Sequence, residues 1–303
     1  MTTLTGYRAP VLNFGNLPAE WADPETAKVN ILPMPYEGTT SYRGGTKDGP
    51  LAILMASRQV ELYDDELDAE PCEVGIATLP EIEPSRRDYM APIEQTYEAV
   101  REILDRGRFP IVLGGEHSIS AGTIQAMLER YPDLSILQID AHADLRDAYE
   151  ETPQSHASVM RRIVEMKVPL TQVGIRNISS EEMAFWKAQR PSTIFWGRDC
   201  RPGRFDPAAI VATLGPRVFL TIDIDGLDPT LVPATGTPEP GGLGWYEVLD
   251  LLRELFTTRE VVGADLLELA PIPGFVAPDF LCAKLIYKII GYKYFLGEPA
   301  SAS

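Results

Sequence analysis

Short apolar segments alternate with longer amphipathic segments along most of this chain. Val29–Pro33, Phe109–Leu113 and Leu170–Ile175 have the length and the nearly continuous apolar character of buried β-strands. Pro92–Arg106 carries its apolar residues on one helical face and is followed by Gly107, a common helix stop. Because consecutive parallel strands are joined by crossover helices, this alternation predicts an α/β fold, a three-layer sandwich with a central parallel sheet.

The same patterns recur in the rest of the chain. Further strands are predicted from Ser135 onward and over Thr193–Trp196, Arg217–Ile222 and Glu260–Leu267. Further helices are predicted from Pro50 onward and over Ser118–Arg130, Ser158–Glu165, Pro207–Thr213, Trp245–Leu255 and Asp279–Ile290. Ser179 and Glu182 form a capping box, which predicts the start of another helix that reaches about Ala188. No linker or repeat interrupts this rhythm. We therefore predict a single domain over residues 1–303, with its core at about 28–295, a short N-terminal arm and a flexible C-terminal tail.

The charge balance bears on possible partners. The chain has 27 basic and 44 acidic side chains, a formal net charge of −17. This balance argues against nucleic acid as a partner, because nucleic-acid binding needs a basic surface. It suits a small cationic substrate through long-range attraction, although solubility alone is the simpler explanation of the charge.

Targeting signals and cysteine spacing indicate a cellular compartment. The first residues lack the apolar core of a signal peptide, and lysines interrupt the apolar segment Phe280–Phe295, so we expect no membrane association. Cys72, Cys200 and Cys282 are far apart and show no CxxC spacing, which indicates buried, reduced thiols. These features predict a cytoplasmic protein.

Asp140, His142 and Asp144 follow the apolar run that begins at Ser135 and lie two residues apart from one another. If the chain stays extended that far, all three side chains point the same way. Two carboxylates and an imidazole at the end of a buried strand need a positive partner. This trio alone is compatible with a metal site or with a solvated polar loop.

Two other stretches carry similar residues. Asp223 and Asp225 lie within an apolar run, where aspartate is rare, and are predicted on one side of a buried strand. His117 follows two glycines at a strand-to-helix turn. A paired structural role is the alternative for the aspartates, and a packed or capping role for the histidine. Because ligand sites of parallel α/β sheets lie beyond the carboxyl ends of the strands, we expect these groups to converge.

The combined set of side chains favours a pair of metal ions. Four aspartates bring four negative charges, which two divalent cations would neutralise. Oxygen-rich ligation with one imidazole per ion and no thiolate favours manganese, or another hard-to-borderline ion, over structural zinc. Paired ions can share a water and lower its pKa. The pattern therefore predicts a hydrolase with two Mn²⁺ ions per subunit.

Three motifs resemble those of the ureohydrolases, the family of arginase and agmatinase, and are most similar to agmatinase. They are LGGEHS at Leu113–Ser118, DAHAD at Asp140–Asp144 and TIDID at Thr221–Asp225. GTPEPGG at Gly236–Gly242 and DLLELAP at Asp265–Pro271 also match, and the likeness extends from about residue 30 to 290. The resemblance implies an arginase-type fold, a binuclear manganese site and assembly into homo-oligomers, either trimers or hexamers.

The resemblance also implies a role for each site residue. Asp140 and Asp223 would bridge the ions, His117 and Asp144 would complete the coordination of one ion, and His142 and Asp225 that of the other. His156 resembles the family's mobile proton-shuttling histidine, and Glu268 resembles the glutamate that pairs with the substrate guanidinium. In the implied mechanism a metal-bridging hydroxide attacks the guanidinium carbon, Asp144 passes a proton to the departing amine, and His156 helps to restore the hydroxide. A surface histidine and a satisfied core carboxylate are the alternatives for the last two residues.

The segment after Asp144 bears on which guanidino compound is cleaved. It lacks the Asn/Ser/Thr-rich stretch of arginase-like members, and Asp147, Glu150 and Glu151 outnumber Arg146. This charge favours an amine tail and hence agmatine, which would yield urea and putrescine in polyamine biosynthesis. It also predicts Glu150 and Glu151 as substrate contacts, and it admits aminopropylagmatine as a longer substrate.

Several alternatives stay open at this point. Arginine or guanidinobutyrate is less favoured, with Arg43 or Arg176 as a partner for the carboxylate of guanidinobutyrate. Leu54 stands where an arginine is expected, which leaves the entrance-loop contacts open. A single-zinc deacetylase of similar fold would not need both histidines and four aspartates. A catalytically silent polyamine-binding homologue would be expected to lack a ligand, and all six are present.

Overall fold

Eight strands form one sheet in the computed structural model, which describes residues 12–201 and 203–296. The strands are Val29–Met34 (β1), Ile76–Thr78 (β2), Phe109–Gly114 (β3), Leu134–Ile139 (β4), Leu170–Ile175 (β5), Thr193–Trp196 (β6), Arg217–Asp223 (β7) and Glu260–Leu267 (β8). Their order across the sheet is β2-β1-β3-β8-β7-β4-β5-β6, and every neighbouring pair is parallel. The parallel sheet predicted from the sequence is therefore confirmed.

Burial on both faces explains why the strands are nearly continuous in apolar character. Every residue of β1, β3, β4 and β5 is buried. β5, β6 and β8 have the predicted bounds. β2 was not predicted, because three residues at the edge of the sheet are too few for a periodic signal. It pairs with β1 alone, in register from Val29 and Ile76.

Helices cover both faces of this sheet. They are Gly49–Ser57 (α1), Met90–Asp105 (α2), Ser120–Arg130 (α3), Val159–Glu165 (α4), Ser180–Gln189 (α5), Pro207–Val211 (α6), Trp245–Thr258 (α7) and Ala277–Phe295 (α8). Residues of α1, α6, α7 and α8 share one apolar core with one face of the sheet, and residues of α2, α3 and α4 share a second core with the other face. The three-layer sandwich is thereby confirmed.

Helix ends depart from the predicted ones where burial overrides periodicity. Ser179 and Glu182 form the predicted capping box at the start of α5. α8 extends beyond both predicted ends, and most of its residues are buried, so no polar face marks its limits. A short 3₁₀ turn, His117–Ile119, precedes α3 where the sequence predicted one continuous helix.

Several further predictions concern the ends and the thiols of the chain. Cys72, Cys200 and Cys282 are buried free thiols, as predicted. Residues 1–11 of the predicted N-terminal arm and the C-terminal tail beyond residue 296 lie outside the described part of the chain. Over the described residues, no helix has both the length and the apolar character needed to cross a bilayer.

Candidate metal centre

The predicted metal ligands lie at the carboxyl ends of three central strands, and Glu268 lies at the end of a fourth strand between them. β3, β8, β7 and β4 are neighbours in the sheet, and their registers align Leu113 with Leu266, Asp223 with Leu267 and Ile139 with Ile222. The segments that leave these strands carry His117, Glu268, the Asp223/Asp225 pair and the Asp140–Asp144 segment. Parallel pairing therefore brings four distant parts of the chain to one edge of the sheet.

The backbone at this edge differs from the continued strand that the residue spacing predicted. β4 ends at Ile139, and Asp144 has a left-handed φ of 52°. Asp223 is the last residue of β7, whereas Asp225 lies in a 3₁₀ turn. Strand alternation is thus the wrong reason for the convergence of these side chains. Hydrogen bonds within the loops orient them instead.

Each of three aspartates accepts a backbone N–H from the site's own loops. Asp140 Oδ1 accepts from the His142 amide at 2.5 Å, and Asp223 Oδ1 accepts from the Asp225 amide at 2.9 Å. Asp225 Oδ1 accepts from the Ala141 amide at 3.0 Å, which ties the β7 loop to the β4 loop. One oxygen of each carboxylate is thus fixed by the backbone. The second oxygen of Asp140 accepts from the Gln138 side-chain amide at 2.5 Å, and the second oxygens of Asp223 and Asp225 face the two histidines.

Two glycines allow these loops to approach each other. A Cβ atom on Gly115 would lie 1.9 Å from the Tyr36 carbonyl oxygen, and one on Gly226 would lie 2.7 Å from the Asp140 nitrogen. A larger residue at Gly115 would push the turn that carries His117 away from Tyr36, and one at Gly226 would push the turn that carries Asp225 away from Asp140. Glycine is therefore required in each of these two turns, because there is no space for a Cβ atom.

The potential ligand atoms form two groups that share one aspartate. One group is His117, Asp140 and Asp223, and the other is Asp140, His142 and Asp225; the atoms of each group lie within 4.8 Å of one another. His117 Nδ1 is 3.2 Å from an oxygen of Asp140, 3.2 Å from an oxygen of Asp144 and 3.6 Å from an oxygen of Asp223. His142 Nδ1 is 2.9 Å from Asp225. All six predicted ligands are thus brought together.

The surroundings of the two His117 ring nitrogens are those expected of a metal ligand. Its Nδ1 atom is fully buried and has no hydrogen-bond partner of acceptable geometry, although three carboxylates surround it. Its Nε2 atom lies 2.9 Å from the Thr221 hydroxyl, and Ser120 donates to Asp265 close by. An imidazole that donates through Nε2 presents a bare Nδ1 lone pair to a metal ion. The nitrogen and oxygen donors therefore suit two divalent cations.

Crowding shifts the pKa values of these groups strongly. Without a cation, burial and repulsion from Asp144 and Asp225 raise the pKa of Asp140 to about 7. Burial opposes the charge of His142, but the Asp225 carboxylate outweighs burial and raises the pKa of His142 to about 10. Burial and the charge of Asp225 raise the pKa of Asp223 well above its usual value. The site thus retains protons that a cation can displace.

Glu268 and His156 lie beside the ligands. Glu268 follows β8 with a left-handed φ of 64°, and its Oε1 atom accepts the His117 backbone N–H at 2.7 Å. Burial, followed by the neighbouring Glu116, raises the pKa of Glu268 well above its usual value. Burial lowers the pKa of His156, which therefore stays neutral near pH 7. Both side chains line the same cavity as the aspartates.

This cavity has a volume of about 220 Å³ and opens from the ligand cluster toward the surface. Its walls also include residues for which the sequence predicted no role in the site: Thr40, Ser41, Tyr149, Asn177, Glu182 and Thr237. Glu182 belongs to α5 and Thr237 to the segment Gly236–Gly242, and the other four come from loops whose proximity depends on the fold. The Tyr149 ring packs edge-on against the His156 ring, with 5.8 Å between centroids.

Several predicted tail contacts are not supported by this geometry. Glu150 and Glu151 are exposed on a turn closed by the Tyr149–Thr152 bridge, and neither lines the cavity. Both have left-handed φ angles, 47° for Glu150 and 67° for Glu151. Asp147 is exposed and pairs with Arg161 and Arg162. Local sequence charge was therefore a poor guide to the charge inside the cavity.

The arginines considered for a substrate carboxylate are engaged elsewhere. Arg43 donates to the carbonyls of Ala270 and Pro271. Arg176 donates to the backbone carbonyls of Gly174, Asp225 and Glu239. Leu54 is buried in the core on the α8 side of the sheet, where an arginine would be unsatisfied. Arg146 is the arginine on the cavity wall, where it stacks over the Tyr149 ring at 5.0 Å.

Comparison with known proteins agrees with this geometry. The Arginase family model matches residues 27–291. An N(1)-aminopropylagmatine ureohydrolase of Synechocystis sp. is 42% identical over 273 residues, which cover 88% of this chain and 89% of that protein. An agmatinase of Pyrococcus horikoshii is 36% identical over 272 residues, which cover 89% of this chain and 93% of that protein. The solved agmatine ureohydrolase of Thermoplasma volcanium has a TM-score of 0.83 at 32% identity, covering 89% of this chain and 91% of that one.

The matched region contains the whole parallel sheet and every residue of the candidate metal centre. Sequence identity of this extent, together with the common architecture, shows membership of the same family and not only a shared fold. The chain belongs to the arginase family and is a hydrolase that acts on guanidino compounds.

Proposed function

We propose that this protein hydrolyses the guanidinium group of N1-aminopropylagmatine, releasing urea and spermidine, and that agmatine is a second substrate. The observation that carries the proposal is a buried pair of ligand groups joined at Asp140, beside a carboxylate that can bind a guanidinium. Aminopropylagmatine is favoured because the relative at 42% identity bears that name. Agmatine is retained because relatives at 36% identity are named agmatinase.

We propose manganese as the metal, two ions per subunit. The residues that would hold them are His117, Asp140, His142, Asp144, Asp223 and Asp225. Such a pair supplies Lewis acidity and a nucleophilic water at neutral pH. The chain's own part is to hold the cations in a buried pocket with fixed carboxylates, which needs no reorganisation during the reaction.

Three side chains would handle the substrate and its protons. Glu268 would bind the guanidinium, because His117 N–H engages its Oε1 atom and leaves Oε2 as an acceptor. Asp144 would transfer a proton to the departing amine. His156, neutral and on the cavity wall, would exchange protons between the site and solvent.

The wall around Arg146 bears on the substrate tail. Arg146 Nε lies 3.9 Å from Glu182, which partly neutralises its charge toward an amine tail. A carboxylate tail, in contrast, would meet a guanidinium directly. Arg146 is therefore the residue at which amine-tailed and acid-tailed substrates are best distinguished.

A urea-release assay with manganese-loaded protein tests the proposal. We expect turnover of aminopropylagmatine and agmatine, with little or none of arginine and guanidinobutyrate. Arg146→Met should raise kcat/KM for the amine-tailed substrates severalfold, because it removes a positive charge that repels the amine. The same change should lower any activity on guanidinobutyrate, because it removes the partner of the substrate carboxylate. His117→Ala is the inactive control. Preferential turnover of arginine or guanidinobutyrate by the natural sequence would refute the assignment.

Three further expectations stay predictions. We propose that the protein acts as a homo-oligomer, a trimer or a hexamer, in the cytoplasm and in polyamine biosynthesis. Its net charge of −17 argues against nucleic acid as a partner. Size-exclusion chromatography with light scattering measures the subunit number.

A further inference from the structure

Glu116 is a buried carboxylate in the metal-site turn that belongs to neither ligand group. Its Oε2 atom accepts the backbone N–H groups of Gly38 and Thr39, each at 2.6 Å. Its Oε1 atom accepts the hydroxyls of Thr39 at 2.7 Å and Ser118 at 2.6 Å. Glu116 therefore ties the loop after β1 to the turn after β3.

The Thr39 hydroxyl has a single hydrogen, and a carboxylate is acceptor-only. The 2.7 Å contact to Glu116 Oε1 thus consumes that hydrogen. The hydroxyl oxygen then has only lone pairs to offer its other neighbours. Those neighbours are the backbone N–H of His156 at 3.0 Å and the His156 Nδ1 atom at 3.1 Å. An oxygen that only accepts on this side requires a hydrogen on Nδ1.

The other ring nitrogen of His156 is in a different setting. Nε2 lies 3.2 Å from the Ser41 hydroxyl. That hydroxyl donates to the Tyr149 hydroxyl only across a long contact of 3.3 Å, so its hydrogen can turn to Nε2 instead. Ser41, Tyr149 and His156 all line the cavity. A neutral imidazole with its hydrogen on Nδ1 therefore presents a bare Nε2 lone pair on the side of the cavity.

We propose that Glu116 and Thr39 are positioning residues that set the tautomer of His156, holding its hydrogen on Nδ1 and leaving Nε2 free to accept a proton from the reaction. The Ser155 hydroxyl accepts the Ala157 N–H and lies 3.3 Å from His156 Nδ1, where its second lone pair can accept from the same nitrogen. The consequence for catalysis rests on the proposed ureohydrolase function. The tautomer itself is a property of the folded chain and does not depend on that function.

The small number of histidines makes the tautomer measurable. The chain has three, so imidazole-¹⁵N labelling gives three ring systems, and the signal missing from His156→Gln identifies His156. Spectra of the full-length, chelator-treated protein at pH 8 should show a pyrrole-type Nδ1 and a pyridine-type Nε2 for His156.

Thr39→Val should move the hydrogen to Nε2, whereas Thr39→Ser should restore the natural pattern. Ser118→Ala is the matched control, because it removes a hydroxyl from the same Glu116 oxygen without touching His156.

Kinetics supply a second readout. Thr39→Val should lower kcat roughly tenfold with little change in KM, and Thr39→Ser should recover most of it. A pyrrole-type Nε2 in the natural protein overturns the proposal whether or not Thr39→Val folds, and so does an unchanged His156 tautomer in a folded Thr39→Val protein. If urea release is absent while the predicted tautomer is seen, the proposed function fails and the tautomer assignment stands.

Discussion

Single residues of the metal centre carry charge that water does not stabilise. Asp140 and His117 are fully buried, and Asp144, Asp223 and Asp225 are nearly so. Four carboxylates within reach of two imidazoles cannot all ionise without a compensating charge. The same residues that would bind cations are therefore a source of instability when no cation is bound, and this instability depends on pH.

The pH dependence of the metal-free protein follows from two shifts. When the pKa of a group is higher in the folded state than in the unfolded state, the folded state binds more protons at pH values between the two pKa values. The free energy of unfolding therefore decreases as pH rises from the unfolded-state pKa to the folded-state pKa. For Asp140 that interval runs from its ordinary value of 3.8 to about 7, and for His142 from 6.5 to about 10. We therefore expect the thermal midpoint of chelator-treated protein to fall as pH rises from 5 to 9, at a cost on the order of 6 kcal/mol.

Two comparisons isolate the origin of this loss. Manganese-loaded protein should show a smaller fall, because cations replace the retained protons. Asp140→Asn should remove the part of the fall below about pH 7. A thermal midpoint of the metal-free protein that rises over this range would contradict the charge arrangement described above.

At the scale of elements, Arg176 joins loops that the sheet alone does not connect. It follows β5, and its guanidinium donates to the carbonyls of Asp225 at 2.7 Å and Leu227 at 3.2 Å in the β7 loop. It also donates to the carbonyls of Glu239 at 3.0 Å and Gly174 at 3.1 Å. One planar side chain thus donates to several backbone carbonyl groups around a proposed ligand.

We expect Arg176→Lys to destabilise the protein by about 2–4 kcal/mol, because a lysine has one nitrogen and cannot span these carbonyls. Thermal unfolding measures the loss, and titration with manganese should show weaker binding, since the Asp225 loop is no longer held. Arg198→Lys is the control: Arg198 is largely exposed, so its replacement should change stability by less than about 0.5 kcal/mol. Equal effects of the two substitutions would mean that these carbonyl contacts contribute little.

At the scale of the whole molecule, the proposed ions connect strands that are adjacent in space but distant in sequence. Their ligands follow β3, β4 and β7, three strands from the centre of one sheet. A ligand that binds only the folded chain stabilises it by an amount that grows with the logarithm of the ligand concentration relative to Kd. Metal binding should therefore stabilise the entire sheet and not only the loops.

Removal of the metal should accordingly lower the thermal midpoint. At a manganese concentration of about 100 times Kd the stabilisation is roughly 2.7 kcal/mol, and we expect a shift of about 5 °C or more when the ions are chelated. Calorimetry with and without chelator measures it. His117→Ala should show a much smaller chelator effect, because one group of ligands is incomplete. A full-sized shift in that variant would show that the cation acts elsewhere.

The sequence by itself predicted the fold class and the six candidate ligands that the fold brings together. Parallel strands buried on both faces must be apolar nearly throughout, and this property is visible without a structure, as in β5 and β8. The aspartates and histidines stood out for the converse reason, since charged residues at the end of such a strand need a partner. Short β2 and the limits of α8 were missed, because neither leaves a periodic pattern.

Only the tertiary structure decided which other side chains share the cavity. Glu150 and Glu151 are close to the ligands in sequence, yet the turn exposes them, whereas Thr39 and Ser41 come from a loop more than a hundred residues away and contact His156. Arg146, outnumbered by acidic neighbours in the sequence, lines the wall itself, together with Glu182 and Glu268. Periodicity and composition report the burial of a residue's own segment, but contacts between loops depend on how the strands pair, and that pairing is a property of the whole sheet.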